Sequence, residues 1–264
     1  ADIAQVDNKT YKSLKVTNSN ASAQEIAMKY RVEDVTQFNN NSFVLSFYAK
    51  ASTSVTLDTR VYENYGSGGS ATVTVVNVGS QNKVITTSRQ RFTISFTTSD
   101  MSGKTIGSSN YLEFSFHPII VSGANWEFDS VQLEAGTTAS DFEFLPYDVN
   151  LRRCLRYYFD TASAVNGEAG SGLGGAFVFK SFNNNEAAGY NAFPVTMRTN
   201  PTITITDNGG TDGKIHRFAS GDVGSNVTFG NVSNSAVVAC NETSTFTTSE
   251  PNIYGGRIRA NAEL

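Results

Sequence analysis

Trp126-Glu127-Phe128-Asp129-Ser130-Val131-Gln132-Leu133-Glu134-Ala135-Gly136 alternates aromatic and branched side chains with polar ones and stops at a glycine. A period of two marks a half-buried strand. Beyond it, Phe142-Glu143-Phe144-Leu145-Pro146-Tyr147 closes the unit, and Cys154-Leu155-Arg156-Tyr157-Tyr158 opens a basic-aromatic segment. The junction reads as the last strand of one β domain followed by the root of a second. Working back from it, residues 43–50, 55–61, 72–78, 91–97 and 111–116 repeat the alternation, separated by polar turns such as Asn39-Asn40-Asn41-Ser42. That pattern fits an antiparallel sandwich or jelly roll. Trp126 and Phe128 share one phase, which assigns Trp126 to the packing between sheets.

The second half has a different texture. Gly170-Ser171-Gly172-Leu173-Gly174-Gly175 is a turned connection without the Lys-Ser/Thr ending of a phosphate loop. Residues 176–182, Thr202-Ile203-Thr204-Ile205-Thr206 and residues 253–264 read as strands, with Asn183-Asn184-Asn185 and Asp207-Asn208-Gly209-Gly210 as turns. Helix signals are poor. Residues 21–30 read either as a turn or two of helix or as a loop feeding a strand at 27–32. Residues 151–159 have Leu151, Leu155 and Tyr158 near helical spacing, but Tyr157, Tyr158 and Phe159 assign them to a strand. No fixed repeat is present, which removes propellers and solenoids. The expected fold is all-β: a jelly-roll β-sandwich over residues 1–147, then a smaller C-terminal β domain over 148–264.

Composition supports two domains in 264 residues, with 18 Phe and 11 Tyr to fill two cores. Charged residues are 17% of the chain, against a typical share of about 25%. Ser, Thr, Asn and Gly make up the difference, as expected of an extracellular or virion β protein. The net charge is −4, and no basic patch with interleaved aromatics stands out beyond the 152–158 segment, so nucleic acid is not the expected partner. Two cysteines, Cys154 and Cys240, cannot build a metal cage or a disulfide framework; they can pair, although buried free thiols are the expected state. No apolar run reaches the roughly 18 residues of a membrane span. Ala1 in place of Met makes the chain an expected part of a longer polypeptide.

Three blocks carry a family resemblance: Tyr11-Lys12-Ser13-Leu14-Lys15-Val16-Thr17 with residues 43–50, the junction from Gln132-Leu133-Glu134 to Tyr158, and Phe193-Pro194-Val195-Thr196-Met197-Arg198 with Ala262-Glu263-Leu264. In that order the set resembles bacteriophage tail-fibre and virion structural proteins whose first domain is a carbohydrate-binding-module-like jelly roll. Leu155 departs from the pattern, where Gln is frequent. The resemblance implies a virion tail-fibre component, assembled in the bacterial host cytoplasm, homotrimeric, and binding surface polysaccharide or another receptor on the host. It also implies neighbouring virion proteins as partners. A purely architectural connector or decoration protein is the alternative, and a polysaccharide depolymerase the third.

The loop expected at Tyr62-Glu63-Asn64-Tyr65-Gly66-Ser67-Gly68-Gly69 is the candidate glycan site, with Tyr62 and Tyr65 to stack on sugar C–H faces and Glu63 and Asn64 to take hydroxyls. The competing reading packs both tyrosines on their own sheet. No catalytic residue is assigned. His117 and His216 lack a nucleophile context, and the pairs Glu127/Asp129 and Asp141/Glu143 read as ordinary rim acids, although two carboxylates are what a glycosidase requires. No cofactor is expected. The resemblance allows one structural calcium, with Asp129 among its ligands; a hydrogen-bonded Asp is the simpler reading.

Overall fold

The computed structural model describes residues 1–7, 11–161, 177–183, 185–207, 210–217, 221–223, 226–241 and 253–263. The glycine-rich run at 170–175 and Asn184, Asn208 and Gly209 of the expected turns lie outside them. Two compact units emerge, Ala1–Phe144 and Leu145–Glu263.

The first unit contains β1 (Asp2–Asp7), β2 (Lys12–Thr17), β3 (Gln24–Glu25), β4 (Met28–Glu33), β5 (Ser42–Ala51), β6 (Val55–Asn64), β7 (Val73–Val76), β8 (Lys83–Ile85), β9 (Gln90–Thr97), β10 (Tyr111–Ile120) and β11 (Asn125–Ala135). One sheet runs β1-β2-β11-β5-β9. The other is built on β10 and β6, with β3 and β4 along one side of β10 and β7 and β8 along the outer side of β6. β2-β11-β5-β9 facing β4-β10-β6-β7 is the strand order of a jelly roll, because each consecutive pair β4/β5, β5/β6, β9/β10 and β10/β11 crosses between sheets. One core fills the gap between them: Val16, Phe43, Leu45, Phe47, Ile94 and Trp126 from the first sheet, Leu57, Val61, Leu112, Phe114 and Phe116 from the second. Trp126 is fully buried and stacks on Phe128 with centroids 4.8 Å apart.

Two local devices shape the sheets. Pairing of β11 with β5 slips between Asp129 and Gln132, and Ser130 takes a left-handed φ of 51°. This bulge moves the inward phase from Trp126 and Phe128 to Val131 and Leu133, so both halves of a strand with mixed phase reach the core. On β10, β4 pairs Tyr111–Phe116 and β3 pairs Ile119 and Ile120. Pro118 falls in the gap between them. A proline has no N–H to donate, so the edge partner breaks there into two pieces. Residues 21–30 accordingly contain no helix; the strand reading is the observed one.

The second unit begins with a helix, α1 (Tyr147–Leu155), followed by β12 (Tyr158–Asp160). This corrects the single strand expected over 151–159. Pro146 stands at the N-cap, Asp148 in the first turn and Arg152 and Arg153 in the last suit the helix dipole, and β-formers take over only after Arg156. Strands β13 (Phe177–Ser181), β14 (Glu186–Ala192), β15 (Thr202–Thr206), β16 (Ile215–Arg217), β17 (Gly221–Val223), β18 (Thr228–Val232), β19 (Ala236–Asn241) and β20 (Ile253–Asn261) complete it. β20 is the hub: its first half pairs with β13 and β16, its second half with β12 and β15. Gly256 sits at the change of partners, where a Cβ would come within 2.7 Å of the Thr206 carbonyl oxygen. Phe159, Phe177, Phe179, Met197, Ile205, Ile258 and Cys240 are among the residues of its core.

Candidate functional site

A sandwich has two outer faces, and among the described residues that of the first sheet is covered while that of the second is open. On the first sheet, residues 136–144 fold back over the strands. Arg91 donates to the Ser140 carbonyl, Ser140 donates from its hydroxyl to Glu134, and Glu143 N–H donates to Gln132 Oε1 at 2.8 Å. Val44 and Ser46, on the outward phase of β5, are left about 1% exposed. Beside this strap, the Arg89 guanidinium lies 4.2 Å from the Tyr11 ring centroid and 3.8 Å from that of Tyr48 while binding Asp129 through Nε at 3.0 Å. Lys50 pairs with Glu127 at 3.3 Å, and Ser13 donates to the same carboxylate at 3.0 Å. On this face Lys50, Glu127, Arg89 and Asp129 are paired with one another.

The outer face of the second sheet is laid out by register. Glu33, Tyr111 and Asn64 share one row, then Arg31, Glu113, Tyr62 and Thr74, then Lys29, Ser115 and Arg60, then His117 and Asp58. Directly opposed residues on one face stand about 4.5–5.5 Å apart at Cβ, so these side chains form one continuous polar and aromatic surface. Glu113, 5% exposed, is its centre: Arg31 Nε bonds it at 2.9 Å and Lys29 Nζ lies at 3.1 Å. The Arg31 guanidinium also covers one side of the Tyr111 ring, 4.5 Å from its centroid. Lower on the face, Arg60 binds Asp58 at 2.7 Å and Glu25 at 3.6 Å. His117 hydrogen-bonds Glu25 through Nδ1 and Ser115 through Nε2, each at 2.9 Å. Glu113, Lys29, Arg31, Arg60, Asp58 and His117 are therefore each held by a neighbour, which is the condition for recognition without a large ordering cost.

Two interlocked loops wall the upper end. Ser67 and Ser108 exchange backbone hydrogen bonds, and Gly107 N–H donates to the Tyr65 carbonyl at 2.7 Å. The backbones approach so closely that a Cβ on Gly107 would stand 2.1 Å from the Ser67 carbonyl oxygen. Glycine is required by that approach. The hydroxyl of Ser70 accepts from Thr105 N–H, and Asn110 ties Gly107 to Val35.

The structure divides the expected site of Tyr62, Glu63, Asn64 and Tyr65. Residues 62–64 belong to β6 rather than to a loop. Tyr62 and Asn64 point outward and are half-buried, on the face just described. Glu63 and Tyr65 are corrections: both are fully buried, so neither can meet a glycan. The Tyr65 hydroxyl donates to Glu63 Oε2 at 2.7 Å, and Ser99 N–H donates to Glu63 Oε1 at 2.7 Å. Burial, with Glu63 behind it, raises the Tyr65 hydroxyl well above its ordinary value. The reason is β6's alternation, which turns every second residue into the sandwich.

His117 lies inside β10. Glu127 and Asp129 do share a face, but each is tied to a cation; Asp141 is exposed. A guanidinium neutralises Asp129, where calcium was allowed, and among the described residues no group of three His, Cys, Asp or Glu is arranged to hold a metal. Cys154 is exposed and Cys240 buried, both free. Arg31, Arg60, Tyr111 and Glu113 escaped the sequence reading, although their alternation phase marked them as outward.

No family model matches the chain, and no curated protein matches it. Among solved structures, a family 4 carbohydrate-binding module is 17% identical, covering 51% of this chain and 90% of its own, at a TM-score of 0.37. The N-terminal cellulose-binding domain of Cellulomonas fimi β-1,4-glucanase C is 20% identical over 48% of this chain and 80% of its own, TM-score 0.35. The family 11 carbohydrate-binding module of Clostridium thermocellum, complexed with a mixed-linked β-1,3-1,4 tetrasaccharide, is 16% identical over 52% of this chain and 84% of its own, TM-score 0.36. Likeness at this level says nothing about a ligand for this chain.

Proposed function

We propose that the chain is a non-catalytic glycan-binding component of a bacteriophage tail fibre that engages polysaccharide on the surface of a bacterial host. The single observation that carries the glycan reading is the open face centred on Glu113, where Tyr62 and Tyr111 stand among fixed hydroxyl-binding groups. Sugars offer C–H faces to a ring and hydroxyls to carboxylate, guanidinium and imidazole groups, and this face supplies both kinds of partner. Glu113, Asp58 and Glu25 on it are engaged by cations rather than directed at an incoming group, which suits binding better than hydrolysis. The tail-fibre assignment is supported by the ordered sequence blocks from Tyr11 to Leu264. Several copies on one virion would raise a weak single-site affinity through effective concentration.

Tyr62→Ala tests the site. Adsorption to host polysaccharide or to a glycan array should fall at least about tenfold, with the melting temperature unchanged. Full adsorption by the folded variant would remove this face from consideration.

A second reading, an architectural virion protein, is favoured by one feature. Phe144 and Tyr147 are each 80% exposed, and α1 buries none of its residues. Another chain, including a copy of this one in a homotrimer, would cover such a surface. A glycan array that stays blank, together with tight binding to another virion protein, would support this reading; adsorption to host polysaccharide would oppose it.

A further inference from the structure

We infer that the glycan taken by the Glu113 face is uncharged, and that Glu113 sets this preference. The inference rests on the reading of that face as a glycan site and names its ligand class. Lys29, Arg31 and Arg60 are its cations; Glu25, Glu33, Asp58 and Glu113 are its carboxylates. Each of the three cations is already paired. Glu113 holds Lys29 at 3.1 Å and Arg31 at 2.9 Å, while Asp58 and Glu25 hold Arg60 at 2.7 and 3.6 Å. His117, the remaining group able to carry positive charge there, faces Glu25 and Ser115.

An acidic polysaccharide needs cations for its carboxylates or sulfates. Here it would have to draw Lys29 and Arg31 away from Glu113, whose side chain is only 7% exposed. That leaves a carboxylate with little access to water and no partner, a heavy penalty. It would also approach four like charges. Selection against a ligand by unpairing a charge is a recognised route to specificity. A neutral sugar meets no such barrier: its hydroxyls can bond to carboxylate and guanidinium edges without displacing either partner.

The full chain is titrated with neutral polysaccharides (a glucan, a galactan and a mannan) and acidic ones (alginate and hyaluronan), at low and at physiological salt. Binding should be confined to the neutral panel and change less than about threefold with salt, since no polyanion–cation attraction is being screened. Glu113→Gln, which removes the negative charge that pairs with Lys29 and Arg31, should gain at least about tenfold in affinity for the acidic panel at low salt. Should Glu113→Gln fail to fold, Glu25→Gln, which loosens Arg60 at a half-exposed partner, tests whether freeing a paired cation on this face admits acidic glycans. Salt-sensitive binding of the parent chain to alginate or hyaluronan, abolished by Tyr62→Ala, would overturn the inference while keeping the site. A folded charge variant that gains nothing overturns it as well. No binding to either panel overturns the glycan reading, and this inference with it.

Discussion

Tyr65 and Glu63 lie two residues apart at the end of β6, both sealed from solvent, with the Tyr65 hydroxyl donating to Glu63 Oε2 at 2.7 Å. The pair anchors the interlocked loops from within, since Glu63 also receives the Ser99 N–H and Gly107 N–H bonds the Tyr65 carbonyl. Residues suited by type to hold a sugar are here used to hold the wall of the site.

Tyr65→Phe should therefore cost stability and leave binding alone. It removes one hydrogen bond to a buried carboxylate, worth about 1.5–3 kcal/mol. Urea unfolding with matched glycan titration checks this. Unchanged stability together with lost affinity would return Tyr65 to the binding site.

Gly107→Ala attacks the same wall through the backbone. The new Cβ would meet the Ser67 carbonyl oxygen, and neither backbone can yield without breaking the Ser67–Ser108 hydrogen bonds. A loss of about 1–3 kcal/mol is expected from such overpacking. Loosened loops should also show as faster amide exchange at Ser67 and Ser108. Exchange as slow as in the parent would mean the loops are not locked together.

Asp129→Asn tests what stabilises the strapped face. Arg89 would remain between the Tyr11 and Tyr48 rings but lose its counter-charge. Since Arg89 is partly exposed, solvent offsets some of the loss, and a cost of about 1–3 kcal/mol is expected. Chelation of the parent protein should leave its melting temperature unmoved. A clear drop on chelation, restored by calcium, would show that Asp129 serves a metal.

The two thiols should differ. Burial pushes Cys240 up to about 12, while Cys154 is exposed. One thiol should react with a disulfide reagent in the native chain and two after unfolding. The raised value also fixes a pH trend. The folded second unit keeps its proton where the unfolded chain, with an ordinary value near 9, releases it. The stabilisation is complete below pH 9 and is lost as pH rises from 9 toward 12. Melting of Cys240→Ala between these limits should fall less steeply than that of the parent; an identical slope would remove Cys240 as the cause.

Periodicity alone determined the sandwich, because a half-buried strand must alternate: the runs at 43–50, 91–97 and 111–116 are strands, and Trp126 lies between the sheets. It also held the clue to the site. Counting from Val61 inward places Tyr62 and Asn64 outside and Glu63 inside, so a loop was not needed to present the first pair. The chain's order could not show that β4, β6 and β10 lie side by side, and only this adjacency joins Arg31, Tyr62 and Glu113, residues up to 82 positions apart. Nor could it show that residues 136–144 fold over one outer face and leave the other open. Side-chain period is a local property of backbone geometry; which strands become neighbours, and which face stays wet, is decided by long-range burial.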